Sequence, residues 1–257
     1  MNFNQGCSNT PTDAQLRRCL SVEEMMIEQN NLNNHLQYGE AWSQALSVDH
    51  YRTAIIAEFG EFLNQETSPA YKWWEDKDPA LYSEWMSQLE IIDILHFYLS
   101  IAIIGVRDMR DKVADFSSVR TDQEFQLYKD LYVGVDLGHR SGWGVVGHPN
   151  IVNHRTFMSL VRAIVFEPWD VYDWVLPLAS LAGSMGMSCE KFSALYYGKV
   201  ILNSVRWKNL DWTKIDVVGV EDNERLFPLV QVYLDDPTLS LKTDFKQMVE
   251  DEFYTQV

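Results

Sequence analysis

Glu58 and Glu61 stand three residues apart in AEFGEF, and Glu90 and Asp93 repeat that spacing inside LEIIDILHFYLSIAII, residues 89–104. Each residue of an α-helix turns about 100°, so either pair lies about 60° apart on one helix face. His96 comes a further ~60° round from Asp93, with Ser100 between them in angle. The rest of residues 89–104 is almost wholly apolar. A helix that is apolar nearly all round, with one narrow polar seam, belongs inside a bundle. Carboxylates buried there without partners would be very costly. If the two helices pack side by side, four carboxylates converge. Four anions are buried together only where divalent metal neutralises them. Mg²⁺ suits such a set, because it takes hard oxygen ligands and keeps waters and substrate phosphates in its shell. The competing account is structural: ExxE on a surface helix is common, and salt bridges to Arg52 or Lys72 would pair the acids.

Positioning these pairs requires long helices, and the chain carries their patterns. Ser21 with Glu24 three residues on forms a capping box that opens a first helix, SVEEMMIEQNNLNNHLQ. Its Met25, Ile27 and Leu32 do not make a clean apolar stripe. A second helix covers residues 50–66, with Ala54, Ile55, Ile56, Phe59, Phe62 and Leu63 on its apolar side at steps of three and four. SPAYKWWEDKDPA breaks the pattern between Pro69 and Pro79. A third helix starts near Ala80 and runs to about Ile104. Helices are expected again at 155–166, 170–184 and 189–208, the last with Ser188 as N-cap and Lys191 following. LDWTKIDVVGVEDNERL reads as a loop or short strand, and a final acidic helix spans roughly 237–254. The Gly-rich region 105–154 is the least regular, an excursion from the helical body with room for a short strand at LYVGV. GWGVVG within it fits G-x-G-x-x-G, but HPN follows at once and the flanks are helical. A dinucleotide fold is therefore rejected in favour of a mobile loop over the active site.

The totals fit an all-α bundle. The chain has 257 residues, 46% of them hydrophobic, enough for a sizeable core. No linker or repeat divides it, so one domain over 1–257 is expected, with 1–12 loose. Lys plus Arg number 21 against 37 Asp plus Glu, a net charge of -16. Such a surface repels nucleic acid polymers, but admits a small anionic substrate where metal sits between it and the acids. Cys7, Cys19 and Cys189 form no CxxC pair, which points to a reducing compartment. The N-terminus has no apolar signal-peptide core. Residues 89–104 read as a buried helix rather than a membrane span, since each central acid would cost about 2–4 kcal/mol in a bilayer. No cysteine lies in a recognisable nucleophile setting and no GxSxG elbow occurs.

Taken in order, several blocks resemble the all-α nucleoside triphosphate pyrophosphatases. More narrowly they resemble the dimeric helical dUTPases of trypanosomes, some bacteria and many phages, and the phage dCTP/dUTP pyrophosphatases. QNNLN at 29–33 is similar to the family's Q-x-L-N block, AEFGEF to its first acidic pair and YKWWED at 71–76 to its W-K-x-W-K turn. EIIDILHFYLS at 90–100 matches the second pair and its sequel. LYYGKVILNSVR at 195–206 resembles the phosphate-binding Y-x-G-K-N-x-x-N-x-x-R block, and VEDNERL at 220–226 has a counterpart. The resemblance implies Mg²⁺ on Glu58, Glu61, Glu90 and Asp93, with the first acidic pair catalytic and Glu61 orienting the attacking water. It implies phosphate binding by Lys199, Asn203, Arg206 and Lys72. Lys199, Asn203 and Arg206 share one helix face and suit a polyphosphate. Their alternative is a solvated polar face. Gln29, Asn33, Trp74 and His96 fall on the base and sugar side, although His96 by itself reads as a hydrogen-bonded interior histidine. The implied reaction is hydrolysis of the α–β phosphoanhydride of dUTP, with dCTP or a modified pyrimidine nucleotide as the alternative. A homodimer in the cytoplasm, host cytoplasm for a phage protein, is implied with it, and no membrane partner.

The chain departs from the pattern. Tyr71 and Glu75 replace the first Trp and second Lys of the turn, Val200 replaces an Asn, and Arg206–Leu210 lacks the glycine of the family's sequel. These losses keep a second reading open, a slow or inactive homologue that binds nucleotide or a protein partner. A MazG-type housekeeping pyrophosphatase is the runner-up among enzymes, but such chains are usually shorter and lack the late Lys–Asn–Arg block.

Overall fold

A computed structural model describes residues 18–20, 22–35, 42–65, 84–110, 178–179, 181–183, 185–208 and 221–254. In chain order these residues form α1 (Val22–Asn34), α2 (Trp42–Ala45), α3 (Val48–Gln65), α4 (Glu84–Arg110), α5 (Cys189–Lys208) and α6 (Asp222–Asp235). A π-helix over Leu241–Phe245 then leads into α7 (Lys246–Tyr254). Among the described residues there is no strand, and the fold is all-α.

Helix α4 is the hub because its apolar residues recur on every side. Leu89, Ile91, Ile92, Ile94, Leu95, Tyr98, Leu99 and Ile101 are all buried. Such a helix needs walls all round, and α1, α3 and α5 supply them. By length and composition Glu84–Gly105 could cross a membrane, but here its sides are covered by protein. Helix α3 lies along α4 and inserts Ile55, Phe59 and Phe62 between them. Ile56, expected on that apolar side, is 59% exposed, because it lies a quarter-turn or so from Ile55. The missing stripe on α1 has a physical cause: its buried face is Met25, Gln29, Leu32 and Asn33, half of it amide.

Helix α5 begins as its cap demands, with the Lys191 N–H donating to Ser188 Oγ at 3.1 Å. It packs on α4, α1, α6 and α7. Its approach to α6 is close at Gly198, where an added Cβ would meet Leu226 Cδ1 at 2.7 Å.

Several boundaries differ from expectation. Helix α4 continues to Arg110, so residues 105–110 are not part of any excursion. Residues 222–226 are helical, not loop or strand: α6 runs from Asp222 through an internal Pro228 to Asp235. Acidic residues in its first turn complement the helix dipole, and Pro228 gives up one backbone bond without ending the helix. The final helix does not start at 237. Residues 236–240 turn instead, and Ser240 caps the π-helix by accepting from the Asp244 N–H. The short α2, with Trp42 wholly buried, was not anticipated. Ser21, the starts of the third helix and of the 170–184 helix, the 155–166 helix, the LYVGV strand, the GWGVVG loop and the 1–12 segment lie outside the described residues.

Candidate active site

The side-by-side packing of α3 and α4 brings the acidic seams together. Glu58, Glu90 and Asp93 each offer a carboxylate oxygen, and these oxygens lie within 4.8 Å of one another, close enough to share a metal ion. Glu61 does not join this trio. It lies one turn further along α3 and is exposed, at the rim. Its charge still raises the proton affinity of Glu58 and Glu90.

The electrostatics follow from crowding anions in a partly dry place. Burial first, then the neighbouring charges of Asp93, Glu90 and Glu61, push Glu58 up to about 8. Burial, with Asp93 and Glu61, pushes Glu90 up to about 7, partly offset by Lys199. Hydrogen bonding joins the Glu58 and Glu90 carboxyls, and without metal their burial and the crowding of charge favour a proton on the pair. A divalent cation would do the same task better, which is the chemistry of a carboxylate metal site.

Helix α5 brings a cation against Asp93. Lys199 is 3% exposed, and its Nζ donates to Asp93 Oδ2 at 3.0 Å and to Asn223 Oδ1 at 3.3 Å. The solvated-face alternative therefore fails for Lys199. The structural alternative for Arg52 takes another form: Arg52 pairs with Asp49 one turn away on α3. Arg206 engages Asp222 through both oxygens, at 2.7 and 2.6 Å, and donates to Asn203 Oδ1 at 3.2 Å.

Beyond Asp93 on α4 lies a buried polar chain. The ring of His96 stacks on Tyr196, with centroids 4.7 Å apart. His96 Nδ1 lies 2.6 Å from Gln29 Oε1, Gln29 Nε2 donates to Asn33 Oδ1 at 2.9 Å, and Asn33 Nδ2 donates to Ser100 Oγ at 3.0 Å. Ser100 Oγ closes the chain by donating to the His96 carbonyl at 2.9 Å. Since Gln29 Oε1 can only accept, Nδ1 carries the hydrogen. Burial lowers the imidazole to about 4, so it is neutral, and its Nε2 is an acceptor with no partner among the described residues.

Metal-capable acids, a buried lysine beside them and a buried amide–histidine chain on a helical bundle suggest nucleotide hydrolysis. Comparison with known families decides the matter: the dUTPase family model matches residues 21–210, most of the chain. This chain belongs to the all-α dUTPase family. No curated protein matches it. As a dUTPase-family member it carries an activity of the dUTP pyrophosphatase type, acting on a small nucleotide. Of the residues singled out in its sequence, Lys72 and Trp74 lie outside the described residues. Gln29, Asn33 and His96 come together, as do Glu58, Glu90, Asp93 and Lys199, while Asn203 and Arg206 are joined to Lys199 through Asn223. Asp222, Asn223 and Ser100 were not among the predicted site residues. The VEDNERL block was the available signal for the first two, and the angular position of Ser100 between Asp93 and His96 for the third.

Proposed function

We propose that the protein hydrolyses a pyrimidine deoxynucleoside triphosphate, dUTP by preference, to the monophosphate and pyrophosphate, with Mg²⁺ as its metal. The observation that carries this reading is the meeting of Glu58, Glu90 and Asp93 within 4.8 Å at the α3–α4 seam, with Lys199 against Asp93. When bound, a divalent metal supplies charge neutralisation for the phosphates and a water of lowered pKa. Glu58, Glu90 and Asp93 would hold it. Glu61, exposed on the same helix face, would orient the attacking water and accept its proton. Lys199, Asn203 and Arg206 bind the phosphate chain, and Lys72 joins them.

Gln29, Asn33, Trp74 and His96 take the base and sugar. The preference for dUTP rests on His96. Its Nε2 is buried; opened to the base, it would be an acceptor that matches the N3–H of uracil, whereas N3 of cytosine is itself an acceptor. The seating of α4 among protein helices supports a protein free of the membrane, and a substrate drawn from the nucleotide pool supports a cytoplasmic one. A homodimer is the expected assembly, checked by sedimentation.

Pyrophosphate release from a panel of dNTPs and NTPs, with Mg²⁺ and with EDTA, tests the whole reading. Metal-dependent hydrolysis with dUTP ahead of dCTP supports it, and dCTP ahead of dUTP moves the substrate. Tight binding without turnover favours the binding-homologue reading that Glu75 and Tyr71 keep open.

A further inference from the structure

The first turn of α6 holds both cations of the phosphate side. Asp222 is fully buried, and its two oxygens accept from Arg206 Nε at 2.7 Å and Nη2 at 2.6 Å. Asp222 Oδ1 also accepts from the Asn223 N–H at 2.8 Å. Asn223 Oδ1 in turn accepts from Lys199 Nζ at 3.3 Å and lies 3.5 Å from Arg206 Nη2. Two adjacent residues thus fix a lysine and an arginine that stand seven positions apart on α5. The close approach at Gly198 allows this, since it draws α6 onto α5 one residue before Lys199.

The choice of an aspartate for one cation and an asparagine for the other is chemically informative. Asp222 occupies the Nε–Nη2 edge of the guanidinium. The Nη1–Nη2 edge meets only the neutral amide oxygens of Asn203, at 3.2 Å, and Asn223, at 3.5 Å, which a phosphate would displace. Lys199 is balanced by Asp93 in the metal-free protein. With Asp93 committed to a metal, Lys199 keeps Asn223, a neutral acceptor that orients the ammonium without cancelling its charge. A carboxylate at position 223 would make a stronger ion pair and a weaker phosphate site.

We propose that Asp222 and Asn223 are positioning residues. Asp222 aims the Arg206 guanidinium and Asn223 steers the Lys199 ammonium, so that both meet the phosphates beyond the first. This rests on the pyrophosphatase reading above, and it adds two residues that lie beyond the segment matched by the family, 21–210.

The test uses Asp222→Asn and Asn223→Asp in the full chain, with α,β-imido-dUTP and dUMP as calorimetric ligands in Mg²⁺. Affinity for the triphosphate analogue should fall at least about tenfold in each variant while dUMP binding is unchanged, because dUMP lacks the phosphates these cations meet. A purely structural link predicts otherwise: Asn223→Asp would bind the triphosphate as well as wild type, or both ligands would weaken by the same factor. Either result overturns the proposal. If Asp222→Asn fails to fold by circular dichroism, Asn223→Asp, which buries no orphaned arginine, decides alone. A wild-type protein that neither binds nor hydrolyses any nucleotide of the panel overturns the functional reading, and this inference with it. An active wild type with unaffected variants overturns this inference only.

Discussion

A proton held between Glu58 and Glu90 marks where a cation is wanted, and this sets what single substitutions should do. Glu58→Gln removes a proposed metal ligand and one partner of the proton-sharing pair at once. Pyrophosphate release with Mg²⁺ should drop by about 10²–10⁴-fold, with Mg²⁺ binding by calorimetry weakened as well. Glu61→Gln should lose a similar factor in rate but retain metal affinity, since Glu61 stands outside the trio. Equal loss of metal binding in both would put Glu61 back among the ligands. His96→Phe keeps the ring against Tyr196 and deletes both nitrogens. It should cost about 1–3 kcal/mol of stability by orphaning Gln29 Oε1, and should level kcat/KM between dUTP and dCTP. A variant that keeps the dUTP preference would confine His96 to the core. At this scale the sequence was readable where spacing forces an outcome: acids three apart inside an apolar run must face one another across a helix pair. It was not readable where rotation and depth decide. Spacing alone could not tell that Glu61 stops at the rim, nor that Lys199 is buried and Arg206 already paired.

Between α5 and α6 the determining element is a missing side chain. Gly198 lets Leu226 in, and the close contact seats Asn223 beside Lys199. Gly198→Ala would place a methyl 2.7 Å from Leu226 Cδ1 in a site where Leu226 is wholly buried. We expect about 1–3 kcal/mol of destabilisation by overpacking, read as a lowered urea midpoint. Leu226→Ala on that background should recover part of the loss, a coupling that a double-mutant cycle measures. Additive effects would show that the two residues do not confront each other. The elements themselves were legible in proportion to their periodicity. Helices α3, α4 and α5 could be read because long apolar stripes and one good N-cap announce them. Helix α6 could not, since Pro228 looks like a terminator and the residues before Asp222 are rich in valine. Helix α1 showed no stripe because Gln29 and Asn33 occupy half of its buried face. What blurred that helix in the sequence is the buried polar chain that runs through Gln29 and Asn33 to His96 and Ser100.

Across the whole molecule, the acidic site should make stability depend on pH and metal together. Glu58 binds its proton with a pKa of about 8 in the folded metal-free chain, against 4.5 for the ordinary carboxyl. Between these values the native state holds a proton that the unfolded chain has released, so raising the pH favours unfolding. Glu90, pushed up to about 7, acts in the same direction over the lower part of that range. His96 opposes them: at about 4 it stays neutral in the fold, while the unfolded imidazole, at 6.5, takes up a proton below that value. Below about pH 6.5 the two effects therefore work against each other, and above it only the carboxyls remain. In EDTA the Tm should fall from pH 6.5 to pH 8. Mg²⁺ should abolish the fall, because a bound cation replaces the proton and stabilises the native state by mass action, more strongly where no proton competes. The Mg²⁺-induced rise in Tm should thus be larger at pH 8 than at pH 6.5. Glu58→Gln, neutral at both, should flatten the EDTA profile. A metal-free Tm that holds level or climbs across this interval would mean that the three carboxylates are already neutralised within the protein. The seam between α3 and α4 would then be an ion-pair cluster rather than a seat for metal.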